Sequence, residues 1–178
     1  SGDKDDAFRR EIEAREDVLV ASADITSEEQ VAEAYEATLS KFGTVDVLIN
    51  NAAMQQRNLF PPVRNIATLE TKNSDRETMF AVNVFGTRRV TRHFIKPMLE
   101  KRRGSVVSVI SSGALHHPRG GAYMALRPNS REMPYQSTKA AILTMMFYLA
   151  DEVQDSNVAV NTLIPGFTRT TGFDERNA

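Results

Sequence analysis

Cysteine is absent from all 178 residues, which excludes disulfide frameworks, thiolate metal sites and cysteine nucleophiles. Long apolar runs are lacking as well; none approaches the roughly 18 residues that a membrane-spanning helix needs. The opening residues SGDKDDAFRREIEARED are polar and contain no secretory signal, so the expectation is a soluble, cytoplasmic protein with no membrane partner. Neither charge sign predominates: 22 Lys plus Arg stand against 23 Asp plus Glu, a formal net charge of −1. Nucleic-acid domains usually carry a clear basic excess, so no nucleic-acid partner is expected. The cluster Lys101-Arg102-Arg103 precedes Gly104 and reads as a helix C-terminus. Internal repeats and low-complexity segments are not seen. No metal site is expected either: His116 and His117 are adjacent, so their side chains do not converge, and no acidic residue lies close by in sequence.

What is present is an ordinary globular composition, 41% hydrophobic and 25% charged, in a chain long enough for one domain with a real core. Residues 5–15 read as a surface helix. Val18-Leu19-Val20-Ala21, running on to Ala23-Asp24-Ile25, reads as a short buried strand. Thr26-Ser27-Glu28-Glu29 then has the chemistry of a helix start, with hydroxyls to accept backbone N–H groups and acids in the first turn. The stripe Val31, Ala34, Tyr35, Thr38, Leu39 and Phe42 continues that helix to Gly43. Val45 to Ile49 is a second strand, leading into Asn50-Asn51-Ala52-Ala53. A long loop fills 54–73. A helix covers about 75–101, kinked or interrupted at Pro97. Ser105 to Ile110, a helix over about 134–153 and the strand Val158 to Ile164 complete the order, with a second long loop over 113–132.

Strands that alternate with helices indicate an α/β fold, a doubly wound parallel sheet in a three-layer αβα arrangement. Crossover helices bring the C-terminal ends of such strands to one edge, where ligands bind. The polar residues Asp24, Asn50, Ser112 and the pair Pro165-Gly166 fall at or just after strand ends, so that edge is the expected site.

Tyr135 and Lys139 are four residues apart, which puts phenol and ammonium on one helix face a turn apart. A free phenol, with a pKa of about 10, is a poor base at neutral pH. A neighbouring cation favours the phenolate and suits the group to proton exchange with an alcohol or a carbonyl. Alone, the pattern is weak, because a surface tyrosine packed on a lysine stem produces the same spacing.

In order along the chain, however, stand Asp24-Ile25, Asn50-Asn51-Ala52-Ala53, Asn83 in Val82-Asn83-Val84-Phe85-Gly86, Ser111-Ser112, Tyr135 with Lys139, and Pro165-Gly166 followed by Thr168 and Thr170. This series resembles the short-chain dehydrogenase/reductase family from the strand ending at Asp24-Ile25 to Thr170. The resemblance implies an NAD(P)-dependent oxidoreductase that interconverts an alcohol and a carbonyl. It assigns acid/base work to Tyr135 and the tuning of its pKa, with a bond to the nicotinamide ribose, to Lys139. It gives the substrate oxygen to Ser112, with Ser111 a competitor, and the support of Lys139 through a water to Asn83. For the NAD or NADP cofactor it implies Asp24 and Ile25 at the adenine ring, Asn50 and Ala52 beneath the adenine ribose, and Pro165, Gly166, Thr168 and Thr170 at the carboxamide. Tyr123 is a decoy, since the residue four on is Arg127. The stretch from Ser112 to Tyr135 is longer than is typical of the family, and its surplus, around Pro118 to Met133, is expected in a substrate lid or an oligomer contact. A small-molecule alcohol or carbonyl and a homo-oligomer, dimer or tetramer, are the implied partners.

The family usually opens with a strand and a glycine-rich turn that cradles the cofactor pyrophosphate. The only glycines early in this chain are Gly2 and Gly43, and Ala53 stands where the family usually has glycine. The expectation is therefore a single Rossmann-like domain over 1–178, lacking its first βαβ unit and ending early, an incomplete stretch of a full-length enzyme. A catalytically silent Rossmann-like module acting through association stays open as the alternative. So do the substrate and the choice between NAD and NADP.

Overall fold

The computed structural model describes residues 10–59, 67–115 and 133–166. Residues 10–13 are helical, the described part of the helix expected over 5–15. Helix α1 runs Glu28–Phe42 and begins as its sequence requires: the Ser27 hydroxyl accepts from the Gln30 amide at 3.3 Å, satisfying one otherwise orphaned donor. It ends at Gly43, whose φ of +73° is the left-handed conformation that terminates helices, and the Gly43 amide donates to the Leu39 carbonyl at 2.8 Å.

Strand β1 follows at Val47–Asn50. The expected long helix is realised in pieces: α2 at Asn73–Phe80, a π-helical stretch at Ala81–Gly86, α3 at Thr87–Phe94 and α4 at Lys96–Glu100. Pro97, in the first turn of α4, lacks an amide to continue the hydrogen bonding, and the break falls at Ile95 just before it. Strand β2 is Gly104–Val109, α5 is Met133–Glu152 and β3 is Val158–Leu163.

The three strands form a parallel sheet in the order β1-β2-β3, with Leu48 opposite Val106 and Val106 opposite Val160. Inward residues include Leu48, Val106, Ser108 and Val158, which meet Ile95 and Met98 from the α3–α4 region and Ile142 and Met146 of α5. Val106 and Met98 are wholly buried. Side chains alternate along a strand, so the neighbours Val47, Ile49 and Leu163 point to the opposite face, where each is more than half exposed. The described residues thus build the sheet and the helical layer on one side of it.

One expected strand does not form. Residues 18–25 make no ladder with any described strand, and Val20 is exposed. An apolar run becomes a strand only when a neighbour takes up its amides and carbonyls. Here side chains do part of that work instead: Lys41 donates to the Val18 carbonyl at 2.8 Å, and the Asp24 amide donates to the Gln30 side chain at 2.8 Å.

Candidate active site

The C-terminal ends of β1, β2 and β3 lie together, because the strands are parallel and in register. That edge carries Asn50, then Ser111 and Ser112 just beyond β2, and Pro165-Gly166 just beyond β3. The expected gathering of these residues is observed, apart from Asp24, which ends no strand. Thr168, Thr170, His116, His117 and Tyr123 lie outside the described residues, as do most of the Pro118–Met133 surplus and part of the 54–73 loop.

Helix α5 delivers Tyr135 and Lys139 to this edge. Lys139 is 2% exposed, and its ammonium donates to the carbonyl of Val109, the last residue of β2, at 2.7 Å. Taking an ammonium out of water disfavours its charged form, and burial lowers the Lys139 pKa to about 8. The ammonium nitrogen lies 5.6 Å from the centre of the Tyr135 ring, within the range of attraction between a cation and an aromatic ring. The i, i+4 spacing has therefore brought the pair together at the sheet edge.

Ser112 opens a short 3-10 turn, Ser112–Ala114, that packs against the first turn of α5. The contact is close: a Cβ added to Gly113 would lie 2.5 Å from the Gln136 side-chain carbon. Gln136 follows Tyr135 and Gly113 follows Ser112, so this glycine lets the two candidate residues' segments meet. Any larger residue here would have to push the end of the Gln136 side chain aside.

Asn83 is completely buried in the π-helical stretch, a geometry frequent at functional sites. Its Oδ1 accepts from the Met54 amide at 2.7 Å, and its Nδ2 donates to the Met54 carbonyl at 2.9 Å and to Thr138 Oγ1 at 3.0 Å. Thr138 in turn donates to the Tyr135 carbonyl at 2.7 Å. Asn83 therefore ties the loop after β1 to the turn of α5 that holds Tyr135 and Lys139. Thr138 and Met54 escaped the sequence reading. A threonine inside a helix and a loop backbone carry no local signal of such a bond.

Among the residues expected at the cofactor, Asn50 turns its Nδ2 towards Thr91 Oγ1, at 2.9 Å, and Ser108 Oγ, at 3.0 Å, linking β1, α3 and β2. Ala52, Pro165 and Gly166 are exposed along the edge. Asp24 is exposed and accepts both the amide and the hydroxyl of Thr26 at 2.8 Å. Those bonds, to backbone first and to side chain second, hold its carboxyl below the usual range. Ile25 is half-buried and packs on Gly86.

A sequence model of short chain dehydrogenases matches residues 2–178. Fluoren-9-ol dehydrogenase of Terrabacter sp. is 48% identical over 172 residues, which make up 97% of this chain and 48% of that protein. The solved structure of ElxO with NADP bound matches with a TM-score of 0.70 at 29% identity, over 86% of this chain and 54% of that one. The 3-ketoacyl-(acyl-carrier-protein) reductase from Brucella melitensis complexed with NADH matches with a TM-score of 0.67 at 30% identity, over 83% and 55%. The chain spans about half the length of the curated relatives it matches.

Proposed function

This chain belongs to the short-chain dehydrogenase family, and on that premise we propose that it is an NAD(P)-dependent oxidoreductase interconverting an alcohol and a carbonyl, with Tyr135 as the acid/base. The observation that carries the reading is the buried Lys139 ammonium, held at the end of β2 and 5.6 Å from the Tyr135 ring. A cation sunk there has a cost, and a charge that favours the neighbouring phenolate gives it a use.

In the reductive direction the Tyr135 hydroxyl gives its proton to the carbonyl oxygen. In the oxidative direction it takes the proton of the alcohol. The Ser112 hydroxyl holds the same substrate oxygen, and Asn83, acting through Thr138, keeps the α5 turn in place. The donor set suits a dinucleotide: an ammonium has three N–H donors, one of which serves Val109, and the others fit ribose hydroxyls. Asp24 and Ile25 would meet the adenine ring, Asn50 and Ala52 the adenine ribose, and Pro165, Gly166, Thr168 and Thr170 the carboxamide. When bound, the nicotinamide supplies or accepts the hydride. ElxO with NADP and the Brucella reductase with NADH make both dinucleotides the cofactors to test, and the similarity to fluoren-9-ol dehydrogenase makes fluoren-9-ol the first substrate to assay.

The same proposal includes a homo-oligomer, dimer or tetramer, in the cytoplasm. Phe147 and Tyr148 are 65% and 69% exposed on α5, adjacent large rings suited to a contact between copies. Among the described residues no helix is long and apolar enough to cross a membrane.

The deciding experiment is Tyr135→Phe. Turnover should be abolished while the shift in Tm produced by NADH or NADPH is retained. Persistent turnover would sink the acid/base assignment, and no response of the unaltered chain to either cofactor would leave only a silent binding module.

A further inference from the structure

The Asp24-Ile25 segment sits at the proposed adenine end of the cofactor site, yet it belongs to no strand of the described sheet. Arg89, on α3, donates from Nη1 to the Ile25 carbonyl at 2.7 Å and from Nε to Glu28 Oε2 at 3.1 Å. Glu28, in the first turn of α1, also accepts from Arg92 and pairs with His93 Nε2 at 2.7 Å. These contacts, that of His93 foremost, lower the Glu28 pKa to about 2, so it is charged throughout the working range. Gly86 supplies the seat for the Ile25 side chain: an added Cβ would lie 2.7 Å from Ile25 Cγ1 and 2.8 Å from Cδ1.

We propose that Arg89 is a positioning residue for cofactor recognition, holding Ile25, and through it Asp24, where the adenine ring is read. The proposal rests on the oxidoreductase reading above. A guanidinium suits the task because its rigid fork serves the carbonyl and the carboxylate at once, which a lysine ammonium cannot match in geometry. Glu28 aims the fork, and Gly86 prevents the Ile25 side chain from being displaced. The segment is thus docked by one charge-assisted bond from α3 and one close packing contact on the π-helical stretch before it, two features independent of the Tyr135–Lys139 pair.

The test separates the two ends of the dinucleotide, using AMP and nicotinamide mononucleotide as calorimetric probes on the full chain. Arg89→Met should weaken AMP roughly 10- to 100-fold, the effect of losing one hydrogen bond to a charged group, and leave nicotinamide mononucleotide unchanged. Gly86→Val, which displaces Ile25 by a different route, should give the same selective loss, and Arg89→Lys an intermediate one. Amide exchange at Thr26 and Ser27 should quicken in step with the AMP loss. Equal weakening of both probes would mark a purely structural role and overturn the proposal. Asp24→Ala provides the control. If it weakens AMP while the Arg89 and Gly86 variants do not, positioning by Arg89 is refuted alone. If Asp24→Ala has no effect either, the adenine reading fails and the proposal falls with it.

Discussion

Replacing Lys139 with methionine sets catalysis against stability, and the structure supplies the magnitude. The ammonium is 2% exposed, and burial has lowered its pKa from 10.5 to about 8. At about 1.4 kcal/mol per pKa unit, the charged form costs the fold about 3 kcal/mol at pH 7. Methionine fills much of the same volume and removes that cost, while leaving the Val109 carbonyl without its donor at 2.7 Å, a loss of about 1–3 kcal/mol. The two nearly cancel at neutral pH. The difference between the proteins therefore lies in its pH dependence. Between about 8 and 10.5 the unfolded chain holds the Lys139 proton and the folded chain releases it, so the stability of the unaltered protein rises with pH across that window. Lys139→Met removes this slope. Urea denaturation of both proteins at pH 7, 8, 9 and 10 should show the unaltered chain gaining about 2–3 kcal/mol on the variant, with turnover of the variant abolished throughout. A stability difference that stays flat from pH 7 to 10 would refute the claim that Lys139 is a desolvated cation.

Further outcomes follow from single contacts. Asn83→Ala removes three hydrogen bonds in a fully buried position, so urea denaturation should register a loss of about 2–4 kcal/mol, and turnover should fall with it. A loss below about 1 kcal/mol would mean that water replaces the amide at Met54. Gly43→Ala meets no atom within 4 Å, yet forces a Cβ on to a φ of +73°, so thermal unfolding should show a cost of about 1–2 kcal/mol. Stabilisation in that variant would contradict the left-handed cap.

Sequence alone determined the features that arise from neighbours along the chain. Ser27 and Gly43 bound α1 because capping is settled within one turn. Pro97 marks the break after α3 because a missing amide acts where it stands. Spacing put Tyr135 and Lys139 on one face, and the ordered motifs identified the family. Tertiary structure decided the rest. Residues 18–25 are apolar enough for a strand, but a ladder needs a partner that local sequence does not specify, and side chains from α1 and α3 hold the segment instead. Asn50 and Asn83 are recognisable as motif residues, while their bonds to Thr91, Ser108, Met54 and Thr138 span 29 to 58 positions and exist only once the helices have packed. The Lys139 charge follows the same rule. Lysine is written in the sequence, but its pKa near 8 comes from the burial that folding imposes.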